Sequence, residues 1–189
     1  WDYSYYQKDL ITIKEKSGLA LQWTAHDGTN EVLSFYLLNK ASNYNEFEEA
    51  LKSYDCPGQN FVYSDVNNNI AIFHAGKNPI KFRRQGMFIS DGSDPYYDWN
   101  TPDSIPDYIP FEHKAFDKNP KIQKYLVSAN QNPVDKDYPY YLSGHFAPSY
   151  RAEQITRMLD TLYRHNDDNH TGATIYDMKD IQLDNTYLV

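Results

Sequence analysis

The sequence is short of cysteine, of positive charge and of long apolar runs. Its 189 residues include one cysteine, Cys56, so no disulfide can form within the chain. Lysine and arginine number 18 against 26 aspartates and glutamates, and the net charge is -8. An acidic excess of this size repels phosphate backbones, which argues against nucleic acid as a partner. No apolar stretch approaches the roughly 20 residues that a spanning helix needs, so we predict no membrane span.

Several widespread catalytic and metal-binding motifs are also absent. The sequence has no Gly-x-Ser-x-Gly elbow, no phosphate-binding Walker loop and no zinc-protease helix. Asp65 begins a stretch that resembles a calcium loop, but Ile70 and Gly76 stand where such a loop needs glycine and glutamate. His165 and His170 flank an acidic loop in which nothing fixes a metal geometry. We therefore expect no metal site in this chain.

Aromatic residues are what the sequence has in excess. It contains 18 tyrosines, and aromatic residues make up 16% of the chain. Many lie in a stretch rich in proline, glycine and aspartate, from residue 76 to residue 121, which we predict to be a long loop. Asp91, Asp94 and Asp98 lie in it, but isolated loop carboxylates do not by themselves indicate glycoside hydrolysis. Cys56 lies beside no basic cluster or helix start, so we expect an unreactive thiol.

The periodicity of apolar residues predicts a mixed α and β structure. We predict strands at 10–14, 19–24, 61–63, 70–74 and 125–128, with an asparagine-rich hairpin turn at 65–69. We predict helices over 32–38, after an Asn43 cap with Glu46 as its capping-box partner, from Ser149, and after a Thr174 cap. The polar stretch 165–172 is predicted to be a loop between the last two helices.

Short strings of residues follow one another in an order that is specific although each string alone is weak. They are Leu-Gln-Trp-Thr-Ala at 21–25, Gln-Asn-Phe-Val-Tyr-Ser-Asp at 59–65, Ile-Pro-Phe-Glu at 109–112, Ser-Ala-Asn-Gln-Asn-Pro at 128–133, Asp-Tyr-Pro at 137–139 and Tyr-Arg-Ala at 150–152. Over residues 19–184 this order resembles the β-chain of the penicillin acylase (penicillin amidase) family.

The resemblance implies a fold and a reaction. The fold is an αββα sandwich of the N-terminal nucleophile hydrolases, an α+β structure of antiparallel strands with flanking helices. The nucleophile is a serine that self-cleavage of a zymogen exposes at a chain start, and its own α-amino group acts as base. The position of Asn130 matches the family's oxyanion-hole asparagine. Arg151 matches an active-site arginine, which would orient the α-amine or Asn130.

The resemblance also implies that residues 1–189 are one segment from inside a longer acylase. No serine begins this chain, which opens on Trp1, so we expect the nucleophile upstream of it and predict that the segment alone is inactive. Its partners would be the α-chain and the N-terminal part of the β-chain. No cofactor is required for the chemistry. Some members hold a structural calcium, but 140–142, after Asp-Tyr-Pro, is Tyr-Tyr-Leu, and we identify no calcium ligands here.

The expected function is hydrolysis of a linear amide. The substrate would be a β-lactam or an amide like an N-acyl-homoserine lactone, with a link to antibiotic resistance in the first case. The family resemblance favours a periplasmic or secreted protein. Two alternatives stay open: a binding module in which the aromatic stretch from Tyr96 to Phe116 grips a sugar or peptide, and a family member that has lost catalysis.

Overall fold

The computed structural model describes residues 18–99, 108–111, 115–118, 125–169 and 172–186. The strand predicted at 10–14 and His170 lie outside these residues. Within them, four α-helices and three antiparallel strands form a mixed α and β structure, as the sequence predicts. None of the described helices is both long enough and apolar enough to cross a membrane.

Two helices open the described structure, and asparagine caps both. Helix α1 spans Glu31–Leu38, and the Asn30 side chain accepts a hydrogen bond from the Leu33 amide. Helix α2 spans Tyr44–Leu51, and the Asn43 side chain accepts one from the Glu46 amide at 3.0 Å. An unpaired amide at a helix start is satisfied in this way, so the predicted Asn43 cap is confirmed.

The predicted partner of the Asn43 cap behaves differently from a standard capping box. The Glu46 carboxylate accepts the backbone amide of Ser42 at 2.7 Å, one residue before the cap. Helix α2 ends at Leu51. The amide of Tyr54 bonds the carbonyl of Leu51 at 3.1 Å in a tighter turn, which keeps the tyrosine ring buried beyond the helix end.

The central element is a three-stranded antiparallel sheet. Strand β1 (Gln59–Ser64) pairs with β2 (Ile70–Ala75) as the predicted hairpin, and β3 (Ala115–Lys118) pairs with the other edge of β2. The turn residue Asn68 has a φ of 63°, a left-handed conformation that asparagine tolerates. Strand β3 lies inside the stretch 76–121, so the prediction of one uninterrupted loop there is wrong.

The core lies between α2 and one face of the hairpin. Alternate strand residues point to opposite faces, and the residues facing α2 are apolar. The buried residues of this cluster are Tyr44, Phe47, Leu51, Tyr54, Ala71, Phe73 and Ala75. Asn60 and His74 alternate with core residues along the strands, so they point to the opposite face.

Two predicted strands are wrong. Residues 18–23 form no strand, Leu19 and Leu21 are exposed, and Thr24–His26 is a 3-10 turn. Residues 125–128 are also irregular. Apolar alternation favours an extended chain, but a strand also needs a neighbouring backbone with which to pair. Neither segment joins the sheet that the described residues form.

Two helices end the described structure. Helix α3 spans Tyr150–Asn169 and begins directly after Ser149, as predicted. It continues through 165–169, so the loop predicted over 165–172 is wrong in that part. The helix extends over these polar residues because each residue added to a formed helix adds a backbone hydrogen bond. Helix α4 spans Ile175–Leu183, and Thr174 and Asp177 form the predicted cap, here a complete capping box.

Candidate functional site

Asn130 lies in a tight loop that we define as residues 128–131. Its φ is 65°, and asparagine is one of the few residues other than glycine that adopt this conformation at low cost. Asn130 is exposed, whereas the preceding Ala129 is buried. The loop is therefore anchored at the buried Ala129 and presents the Asn130 side chain at the surface.

Gln131 closes this loop upon itself. Its Oε1 accepts the amide of Ala129 at 2.6 Å, and its Nε2 donates to the carbonyl of Val127 at 2.9 Å. The Asn130 carbonyl accepts the amide of Ala147 at 2.8 Å, which ties the loop to the chain that enters α3. Sequence reasoning missed Gln131, and its only signal is an amide residue directly after the Ala-Asn pair.

Arg151, in the first turn of α3, lies against the Asn130 loop. Its Nη2 donates to Asn130 Oδ1 at 2.6 Å and to the carbonyl of Ala129 at 2.7 Å. Both residues predicted from the resemblance are thus brought into direct contact. A guanidinium has donors and no acceptor, so the amide atom facing it must be the oxygen. Nδ2, the donor end of the Asn130 amide, is therefore directed away from the arginine.

A second contact reaches the loop from the sheet. Asn60 Nδ2 on β1 donates to Ser128 Oγ at 3.1 Å, and Asn60 Oδ1 lies 2.7 Å from His74 Nδ1 on β2. The spacing between Asn60 and Ser128 is 68 residues. No local pattern in the sequence identifies a contact of this range, and sequence reasoning missed it.

Two of the other candidate residues, Asp91 and Asp94, have local structural roles. Asp91 accepts from the amide and hydroxyl of Ser93, and Asp94 accepts from the amide of Tyr96, so both carboxylates cap turns of their own loop. Cys56 is buried, and Thr24 Oγ1 lies 3.5 Å from its Sγ. Among the described residues, no three or more histidines, cysteines or acidic residues cluster as metal ligands would.

Asp65 stabilises the hairpin turn. Its carboxylate accepts from the Asn69 side chain at 2.8 Å, from the backbone amides of Asn67 and Asn69, and from the Tyr63 hydroxyl. Hydrogen bonds to the charged form, led by that of the Asn69 side chain, lower the pKa of Asp65 to about 2. This confirms the reading of 65–69 as a turn.

Four aromatic residues of the stretch 76–121 contact one another. Phe82 stacks on Tyr96 with ring centres 5.0 Å apart, and Phe88 and Tyr97 contact this pair. The buried Gln85 donates to the Tyr97 carbonyl at 2.9 Å. These contacts give Phe82, Phe88, Tyr96 and Tyr97 a packing role.

A pocket lies between α3 and α4, away from the residues just described. It is lined by Arg157, Met158, Thr161, Leu162, Asp177, Asp180 and Ile181. Neither Asn130 nor Arg151 lines it, so it contributes nothing to the site that these two residues form.

Comparison with known proteins identifies the family. The sequence model of the penicillin amidase family matches residues 6–189. The chain belongs to this family. It is similar to acyl-homoserine lactone acylase QuiP of Pseudomonas fluorescens strain Pf0-1, with 28% identity over 141 residues, or 75% of the chain. It is also similar to QuiP of Pseudomonas syringae pv. tomato, with 28% identity over 143 residues, or 76% of the chain.

These penicillin amidase relatives are much longer than the chain. The match spans 16% of the length of each of the two acylases.

Proposed function

We propose that this chain is part of an amide hydrolase that cleaves the acyl group from an N-acyl-homoserine lactone or a similar linear amide. The observation that carries the proposal is the contact of Arg151 with Asn130 Oδ1 at 2.6 Å, since it directs the amide donor of Asn130 away from the arginine. The names of the similar acylases support this substrate class over a β-lactam. The match to 16% of the length of these acylases supports the view that residues 1–189 are part of a longer protein.

The proposed reaction proceeds by acyl transfer. The hydroxyl oxygen of an N-terminal serine, outside this chain, attacks the substrate carbonyl while the serine α-amino group takes the proton. An α-amine has an ordinary pKa of about 7.7–8.0, so part of it is neutral near neutral pH. The amine product leaves with a proton, and water then hydrolyses the acyl-serine. No cofactor takes part in these steps.

Asn130 acts on the charge that develops during attack. The carbonyl oxygen becomes an anion in the tetrahedral intermediate, and a fixed N–H donor stabilises it more than it stabilises the neutral substrate. The Arg151 contact and the hydrogen bonds of Gln131 within the loop fix the Asn130 side chain before the substrate arrives. Such preorganisation is what makes a single donor effective.

The test is Asn130→Ala in the full-length protein, assayed with an N-acyl-homoserine lactone. Losing one oxyanion donor lowers kcat by about 10²–10³ while KM changes little. Asn68→Ala is the matched control, because Asn68 has nearly the same φ, 63° against 65°, and lies in the exposed hairpin turn. If kcat of Asn130→Ala matches that of Asn68→Ala, Asn130 is not an oxyanion donor.

The nucleophile has its own test. We expect mass spectrometry of the mature full-length protein to find serine at a new chain start, as processing of a zymogen would produce. A start without serine, threonine or cysteine would indicate a family member that has lost catalysis. The 189-residue segment alone should give no turnover of a chromogenic acyl anilide above a denatured control, and turnover would place the nucleophile within it. We also propose a periplasmic or secreted location, on the family resemblance.

A further inference from the structure

The Asn130 loop is held from two sides. Arg151 holds it from α3, and Asn60 reaches it from the sheet through the hydroxyl of Ser128, two residues before Asn130. Asn60 is half-buried and lies directly opposite His74 in the β1–β2 register. The sheet therefore contacts the same short loop that carries the proposed oxyanion donor.

The two ends of the Asn60 amide have different partners. Nδ2 donates to Ser128 Oγ at 3.1 Å, and Oδ1 lies 2.7 Å from Nδ1 of His74. In this orientation His74 Nδ1 carries the hydrogen and donates to Asn60 Oδ1. Both ends of the amide are used, so its plane is fixed and its donor points at Ser128.

The imidazole is itself enclosed. Its Nε2 lies 3.4 Å from Asn78 Oδ1, and the Asn78 carbonyl accepts the amide of Ile109 at 2.9 Å. A Cβ added at Gly58 would lie 3.3 Å from His74 Nε2, closer than most such contacts. Beside His74 in the sequence, Phe73 is fully buried in the core. The ring thus lies on a strand that the core fixes in place.

We propose that Asn60, held by His74, is a positioning residue for the Asn130 loop. Its hydrogen bond to Ser128 fixes the Asn130 loop relative to the β1–β2 hairpin, and this helps to fix the direction of the Asn130 amide. This inference rests on the proposed function, because it assigns Asn60 and Ser128 a part in aligning the proposed oxyanion donor. Neither residue touches the substrate in this proposal.

The experiment measures kcat and KM of the full-length protein with an N-acyl-homoserine lactone. Asn60→Ala and Ser128→Ala each remove one partner of the same hydrogen bond, and each should lower kcat about 3- to 10-fold. KM should stay within about twofold, because the contact acts on the amide that binds the oxyanion. Asn67→Ala is the control, since Asn67 is an exposed asparagine of the same hairpin.

Two further variants separate positioning from a general loss of structure. The double variant Asn60→Ala with Ser128→Ala should be no slower than the slower single variant, because both changes break one contact. Ser128→Thr keeps the hydroxyl and should retain the kcat of the unmodified protein. Thermal melting of every variant shows whether the fold persists, and Ser128→Ala, at an exposed position, keeps the test open if Asn60→Ala does not fold.

The outcomes distinguish this inference from the proposed function. If Asn130→Ala lowers kcat but Asn60→Ala and Ser128→Ala behave like Asn67→Ala, only the positioning role is wrong. Multiplicative effects in the double variant, or equal losses in Ser128→Thr and Ser128→Ala, would also overturn it. If Asn130→Ala itself leaves kcat unchanged, the proposed function fails first.

Discussion

Different forces stabilise the hairpin core and the Asn130 loop. In the core, Phe73 is 0% exposed and Leu51 1%, and contact among apolar side chains excludes water. At the loop, Asn130 and Arg151 are exposed, and hydrogen bonds fix their directions. Apolar burial is non-directional and gives most of the stability, whereas a hydrogen bond with a fixed donor determines which way one amide points. Changes in the core should therefore alter stability, and changes at the loop should alter turnover.

Phe73→Ala is the strongest test of the core side of this comparison. Removing a fully buried phenylalanine leaves a cavity and should lower the free energy of unfolding by about 3–5 kcal/mol. Urea denaturation followed by circular dichroism measures it. Val66→Ala, at a position that is 97% exposed in the same hairpin, should change it by less than about 0.5 kcal/mol. Similar losses of unfolding free energy in the two variants would mean that burial of Phe73 in the core does not stabilise the protein.

Arg151→Ala tests the loop side. Losing a charged hydrogen-bond donor, worth about 1.5–3 kcal/mol, should reduce kcat of the full-length protein about 10- to 150-fold if Arg151 aligns Asn130. Its melting temperature should change little, because the side chain is exposed. Arg157→Ala, six residues further along α3, is the matched arginine control and should keep full turnover. A large loss of stability without loss of kcat would mean that Arg151 stabilises the fold and does not align Asn130.

Asn43→Ala tests whether local capping contributes to the core region. It removes the side-chain acceptor of the Glu46 amide and should cost about 1 kcal/mol of unfolding free energy, with no change in kcat. Asn45→Ala changes the same residue type at an exposed position inside α2 and should be neutral or slightly stabilising. Equal destabilisation by both would show that the cap itself contributes nothing.

The smallest expected effect is a change in acid stability at the hairpin turn. The pKa of Asp65 is lowered from 3.8 to about 2 in the folded protein, so its stabilising effect is complete above about pH 4. That effect is lost as the pH falls through about 2. Asp65→Asn should remove this component, and its unfolding free energy should vary less with pH between 4 and 2. Parallel curves for the two proteins would contradict the lowered pKa.

Sequence patterns predicted the local elements and missed the contacts between distant ones. The hairpin and the Thr174 cap depend on neighbouring residues, and both were predicted. The strands predicted at 19–24 and 125–128 are wrong because pairing depends on a distant partner that no local pattern specifies. Asn130 and Arg151 came from the family resemblance, not from spacing. The bond between Asn60 and Ser128 joins residues 68 apart, so only the folded chain shows it.

The left-handed backbone at residue 130 restricts what evolution or an engineer can place there. Glycine accepts that φ readily but brings no amide, and glutamine brings an amide but is a poor fit to that φ. Aspartate shares the shape yet presents acceptors where the proposed chemistry needs a donor. Two independent demands thus converge on one amino acid, and libraries aimed at new acyl specificity should leave this codon unchanged.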